Sequence, residues 1–141
     1  VDKTCAMILE RTLHLFRDPE RLLRQHPTYR MLGATPEVLE TRARALVEAI
    51  RVHAPAANTV MVKTTAFVGS GSLPTEALPS FAVQVELPGV KPSELAKRLR
   101  LDAASVFGRI EEDRFLLDVR TLADNDVTPV GEALGRVAAS A

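Results

Sequence analysis

The chain changes its hydrophobic period at Pro55. Before it, Leu39, Ala43, Leu46 and Ile50 recur at i, i+4, i+7 and i+11, the spacing of one helix face. After it the repeat is two. Phe81, Val83, Val85 and Leu87 alternate with Ala82, Gln84 and Glu86, the pattern of a strand with one covered face. A chain that carries both periods has to lay helices against a sheet.

Start signals place the helices. Thr35-Pro36 reads as an N-cap followed by Pro at the first helical position and opens a helix over 36–53. Asp18-Pro19 does the same for a short helix from Glu20 to Gln25, and Thr128-Pro129 for a terminal helix weakened by Gly131 and Gly135. Residues 4–17 form an earlier helix, with Cys5, Ile8, Leu9, Thr12, Leu13 and Phe16 on a wide apolar stripe. Pro27 and Gly33 punctuate the stretch after Gln25. A further short helix spans 92–100, with Leu95 and Leu99 inward.

The strands are expected at 59–65, 81–87, 106–110 and 115–119, the last two joined as a hairpin around Glu112-Asp113. Between the first two lies a Gly-, Ser- and Pro-rich connection, 67–80. The expected fold is α+β: a small antiparallel or mixed sheet of about four strands, with helices packed on one face. One domain is expected over 1–141.

The chain is 141 residues long, enough for a real core. Eighteen basic residues balance eighteen acidic ones, so no global basic field for nucleic acid exists. Arg outnumbers Lys fourteen to four. Codon bias explains that; so does a need for bidentate contacts to phosphate or carboxylate. A single cysteine excludes an intrachain disulfide and a multi-Cys zinc site. No apolar run reaches the length of a membrane span, and the start does not read as a signal peptide, so a cytoplasmic location is expected. The first residue is Val1, and the expectation is a piece of a longer protein.

Few residues offer chemistry. Gly69, Ser70, Gly71 and Ser72 can form a nest of backbone N–H groups for an anion, or a plain strand connection. They make neither G-x-G-x-x-G nor a P-loop. His14, His26 and His53 lie too irregularly for a metal motif, and no G-x-S-x-G elbow is present. His14 is expected to be a partly buried structural residue. Cys5 is expected to be a buried, inert thiol on the apolar stripe. Arg109 follows Gly108 on a strand, where glycine marks close approach of a backbone or a ligand. Two readings of Arg109 stand side by side: a ligand contact, or an ion pair with Glu86, Glu111 or Asp118. Arg120 is expected to lie nearby. No complete active site is legible.

Several segments together resemble the bacterial selenocysteine synthase family. They are Val1-Asp2-Lys3 with Leu9-Glu10-Arg11-Thr12-Leu13; Asp18-Pro19-Glu20; His26-Pro27-Thr28-Tyr29-Arg30-Met31-Leu32; Gly69-Ser70-Gly71-Ser72-Leu73-Pro74 with Leu78-Pro79-Ser80; and Gly108-Arg109-Ile110 with the run from Asp113 to Thr121. The resemblance runs in order over nearly the whole chain. Cys5 departs from it, standing where the family carries Thr, and the stretch 88–105 is shorter on landmarks.

The resemblance implies a pyridoxal-phosphate-dependent transferase of the aminotransferase-like fold. In it, seryl-tRNA(Sec) becomes selenocysteyl-tRNA(Sec) with selenophosphate, and the subunits form a homo-oligomer, typically a decamer. The chain would be the C-terminal small domain, with helix 1–17 leading in from a missing large domain. The Schiff-base lysine would lie upstream, so the chain alone would be inactive and hold no catalytic or cofactor-binding residue. Arg109, Arg120 and Gly69 to Ser72 would be its substrate-binding residues. Two rival readings remain: the small domain of a related lyase acting on a sugar-acid phosphate, or a stand-alone anion-binding module.

Overall fold

The computed structural model describes residues 2–68 and 73–140. Backbone contacts group the chain into two units, Val1–Ala34 and Thr35–Ala141.

The first unit is helical. Helix α1 spans Lys3–Leu15 and begins where the Asp2 carboxylate accepts from the Cys5 N–H at 2.8 Å. Helix α2, Pro19–Gln25, is capped by Asp18, which accepts from the Arg21 N–H at 3.0 Å. Helix α3, Pro27–Leu32, occupies the stretch that the sequence marks only as punctuated. Pro27 stands in its first turn, where a missing N–H does no harm. Phe16, His26 and Tyr29 meet edge to face, with ring centroids 5.2–6.4 Å apart. No residue of α1 is buried. Its apolar stripe is open, with Ile8 62% and Leu13 54% exposed. Cys5 and His14 are exposed as well, against expectation, because α1 carries them on faces that none of the described residues buries.

The second unit is α+β. Helix α4, Pro36–His53, is followed by strands β1, Asn58–Val68, and β2, Leu73–Glu86. Helix α5, Pro92–Leu101, precedes β3, Arg109–Glu111, and β4, Arg114–Asp118. Short 3-10 turns at Val119–Thr121 and Asp124–Asp126 lead to α6, Val127–Ala139. The four strands form one antiparallel sheet in the order β1-β2-β4-β3.

Three expectations need correction here. The connection expected over 67–80 is largely strand: β1 runs on to Val68 and β2 resumes at Leu73, so the pair forms a long arm. Strand β3 begins at Arg109, not Val106. Helix α6 begins one residue before Thr128, and its N-cap, Asp126, makes no side-chain cap bond; that carboxylate instead accepts from the Ala123 N–H.

One sheet face carries Val83, Val85, Phe115 and Leu117, all buried, and faces the helices. Helix α4 lies against β1 and β2, α5 against β3 and β4, and α6 against α4 and α5. Leu39, Leu46, Ile50, Leu95, Leu99 and Leu134 complete this core, each at most 1% exposed. The hairpin turn expected at Glu112-Asp113 is present, with both residues at positive φ, the conformation that a two-residue turn between twisted strands requires.

Candidate functional site

The opposite sheet face gathers the polar residues. Side chains alternate along each strand, and register does the rest. Thr64 sits across from Ser80, Ala82 from Asp118, and Leu116 from Arg109. Thr64, Ser80, Asp118 and Arg109 therefore share one face, drawn from all four strands.

Asp118 is the centre of the group. Its Oδ1 accepts from Ser80 Oγ at 2.8 Å and from the Arg120 backbone N–H at 3.0 Å. Its Oδ2 faces Arg109 Nη1 at 3.4 Å. The carboxylate thereby caps the 3-10 turn Val119–Thr121 as well as pairing with an arginine.

Arg109 makes two further contacts. Nη2 donates to Thr64 Oγ1 at 2.5 Å and lies 3.5 Å from Glu111 Oε2. Its Nε is buried and has no hydrogen-bond partner among the described residues. The side chain as a whole stays 38% exposed. Of the carboxylates the sequence offered, Glu111 and Asp118 pair with it; Glu86 lies instead across from Asn58, at the far end of β2.

Arg120 is buried, at 6% exposure. Its Nη2 donates to the Pro79 carbonyl at 2.6 Å. Burial pulls the guanidinium below its ordinary value; Asp118 opposes the shift and Arg42 adds to it. It remains a cation, since arginine does not lose its proton in proteins. Arg42 reaches the same region from α4, donating to the Val119 carbonyl at 3.1 Å and to Asp124 at 2.7 Å.

Arg109 and Arg120 therefore come together around Asp118, in agreement with the sequence expectation. The arrangement bolts the arm to the sheet: Thr64 and Pro79 belong to the arm and accept from arginines of β3 and the turn after β4. Chemically it offers one partly open guanidinium beside a part-buried carboxylate that pairs with it. Such a fork suits a carbonyl or phosphate oxygen. Gly69, Ser70, Gly71 and Ser72 lie outside the described residues. Ser80 and Thr64 escape sequence reasoning; the signal for Ser80 is its odd phase against Phe81 and Val83, which puts it on the polar face.

Other features carry less chemistry. An open groove of about 770 Å³ runs along α4 toward the start of α6, lined by Val38, Thr41, Ala45, Val52 and Val127 among others, and contains neither Arg109 nor Arg120. Among the described residues no cluster of His, Cys, Asp or Glu could hold a metal ion, and no helix is long and apolar enough to cross a membrane. Lys3, Lys63, Lys91 and Lys97 are all exposed. A Schiff-base lysine is activated by desolvation or by a neighbouring cation. These four lysines do not fit the aldehyde end of pyridoxal phosphate.

Comparison with known proteins agrees with the resemblance. A family profile described as L-seryl-tRNA selenium transferase matches residues 1–123. The L-seryl-tRNA(Sec) selenium transferase of Geobacter sulfurreducens is 40% identical over 139 residues, which cover 98% of this chain and 30% of that protein. The proteins of the same name from Hyphomonas neptunium and Nitratidesulfovibrio vulgaris are 40% and 39% identical, over 98% and 95% of this chain and 30% and 29% of their own lengths. The chain thus spans about 30% of the length of these relatives. It belongs to the L-seryl-tRNA selenium transferase family.

Proposed function

We propose that this chain is the small domain of an enzyme that converts seryl-tRNA(Sec) to selenocysteyl-tRNA(Sec), with selenophosphate as selenium donor. The observation that carries the reading is the 40% identity to named selenium transferases across 98% of the chain. Pyridoxal phosphate, which the resemblance implies, would be held by residues outside these 141, in a cytoplasmic homo-oligomer.

The polar sheet face is the part of this chain that serves the reaction. The seryl carboxyl is esterified to tRNA, so no free carboxylate awaits an arginine. Arg109, partly exposed, would take the ester carbonyl or a phosphate near the tRNA 3′ end. Arg120, buried on the Pro79 carbonyl, would hold the arm in place behind it. Gly69 to Ser72, at the end of that arm in sequence, would supply backbone N–H groups to the same anionic substrate.

The test is an assay of the full-length protein with seryl-tRNA(Sec) and selenophosphate, reading the amino acid recovered from the tRNA. Selenocysteine is the expected product. Seryl-tRNA returned unchanged, with ammonia released from a sugar-acid phosphate instead, would overturn the reading in favour of a lyase.

A further inference from the structure

We infer that Asp118 is a positioning residue, which fixes the guanidinium of Arg109 and the root of the β1–β2 arm and so sets where Arg109 meets the acceptor end of the tRNA. The inference rests on the function proposed above and deepens it.

The geometry singles out Asp118 because one carboxylate serves three elements. It takes Ser80 Oγ from β2, Arg109 Nη1 from β3 and the Arg120 N–H from the turn after its own strand. Its side chain is 14% exposed, against 38% for Arg109. The less exposed partner, held also by Ser80 and the Arg120 N–H, is the fixed one, and the arginine is the group that reaches outward. Thr64 holds the second arm of the fork from β1. Two anchors on opposite sides define the plane of a guanidinium, which a single ion pair cannot do.

Removing the charge leaves Arg109 held only through Nη2, by Thr64 and by Glu111, which sits on its own strand and is 57% exposed. The fork would then turn about that one nitrogen, with Nη1 free of its anchor. Asn in place of Asp118 still accepts one hydrogen bond, so the fold has a means of surviving the change.

The experiment uses the full-length protein carrying Asp118→Asn, Arg109→Ala or both. Single-turnover conversion of seryl-tRNA(Sec) is measured over a range of tRNA concentrations, beside hydrogen exchange of peptides containing Thr64 and Ser80. Asp118→Asn should lower conversion at limiting tRNA by about 10- to 100-fold and speed exchange in those peptides, with α4 and α6 unchanged. In the Arg109→Ala background the same substitution should cost less than about 3-fold, because there is no fork left to place. A full multiplicative loss in the double variant means a structural role and overturns the inference, as does wild-type conversion by Asp118→Asn. Should Asp118→Asn fail to fold, Thr64→Val removes the other anchor, and the same loss of coupling to Arg109 is expected; full multiplicativity overturns the inference there too. If the unaltered protein does not convert seryl-tRNA, the functional reading falls, while the exchange measurement still reports whether Asp118 holds the arm.

Discussion

Gly108 shows how a single residue can be legible in kind while its neighbours are named only by the fold. Its expected place within a strand signals close approach, and the approach is real. A Cβ there would run into the Phe115 ring and lie 2.7 Å from the Leu116 carbonyl oxygen. The neighbours are a core ring and the backbone of β4, the backbone being one of the two partners the sequence offered. Phe115 is fully buried and has no room to turn aside. Gly108→Ala should therefore destabilise the protein by about 1–3 kcal/mol through overpacking, although alanine restricts the unfolded chain more than glycine. A thermal melt of the full-length variant checks this; an unchanged or raised midpoint contradicts it. Cys5 and His14 depart from expectation for the converse reason. Their place beside an apolar stripe predicts burial only if something covers the stripe, and sequence period does not say what covers it.

At the scale of elements, helices with a start signal and a stripe are the most legible. Thr35-Pro36 opens α4 where expected and His53 closes it. The arm is not legible, because Pro, Ser and Gly mask a strand whose backbone pairs across to β1. By propensity the two glycines of α6 are weaknesses. In the fold they are contact points: a Cβ at Gly131 would stand 2.9 Å from the Ala49 carbonyl oxygen, and one at Gly135 would run into that of His53. Helix propensity is given up there so that α6 can lie close to α4.

Helices α5 and α6 are also tied electrostatically. Arg136 grips Asp102 with both arms, at 2.7 and 2.9 Å. The Arg136 hydrogen bonds, followed by the Ala104 N–H, lower the Asp102 carboxyl from 3.8 to about 2. A carboxyl whose folded value lies below its unfolded value stabilises the fold above the unfolded value and loses that contribution as pH falls through the folded one. Asp102→Asn should thus be less stable than the parent near neutral pH, and the gap should close as pH falls from 3.8 to about 2. Denaturant midpoints across that range decide the matter; a constant gap contradicts the pairing.

For the whole molecule, the sequence locates the family but cannot display the site. The polar face is assembled from Thr64, Ser80, Arg109 and Asp118, one from each of the four strands, and strand register brings them together. Register depends on pairing partners that period alone does not name. The family assignment succeeds by a different route, through short motifs in a fixed order. What the structure adds is a division of labour within the arginine pair: Arg120 buried against the arm, Arg109 held by its rim and partly open to solvent.

In the function we propose, this domain meets the reacting tRNA through Arg109. The most direct test is single-turnover conversion of seryl-tRNA(Sec) by full-length Arg109→Ala and Arg109→Lys, each measured beside its melting temperature. A charge-assisted contact made to the reacting complex contributes about 2–3 kcal/mol, so kcat/KM should fall roughly 30- to 150-fold in the alanine variant. Lysine, a point charge without the planar fork, should recover only part of that. Lowered melting with unchanged conversion per folded enzyme would make Arg109 a brace for the sheet and contradict the claim.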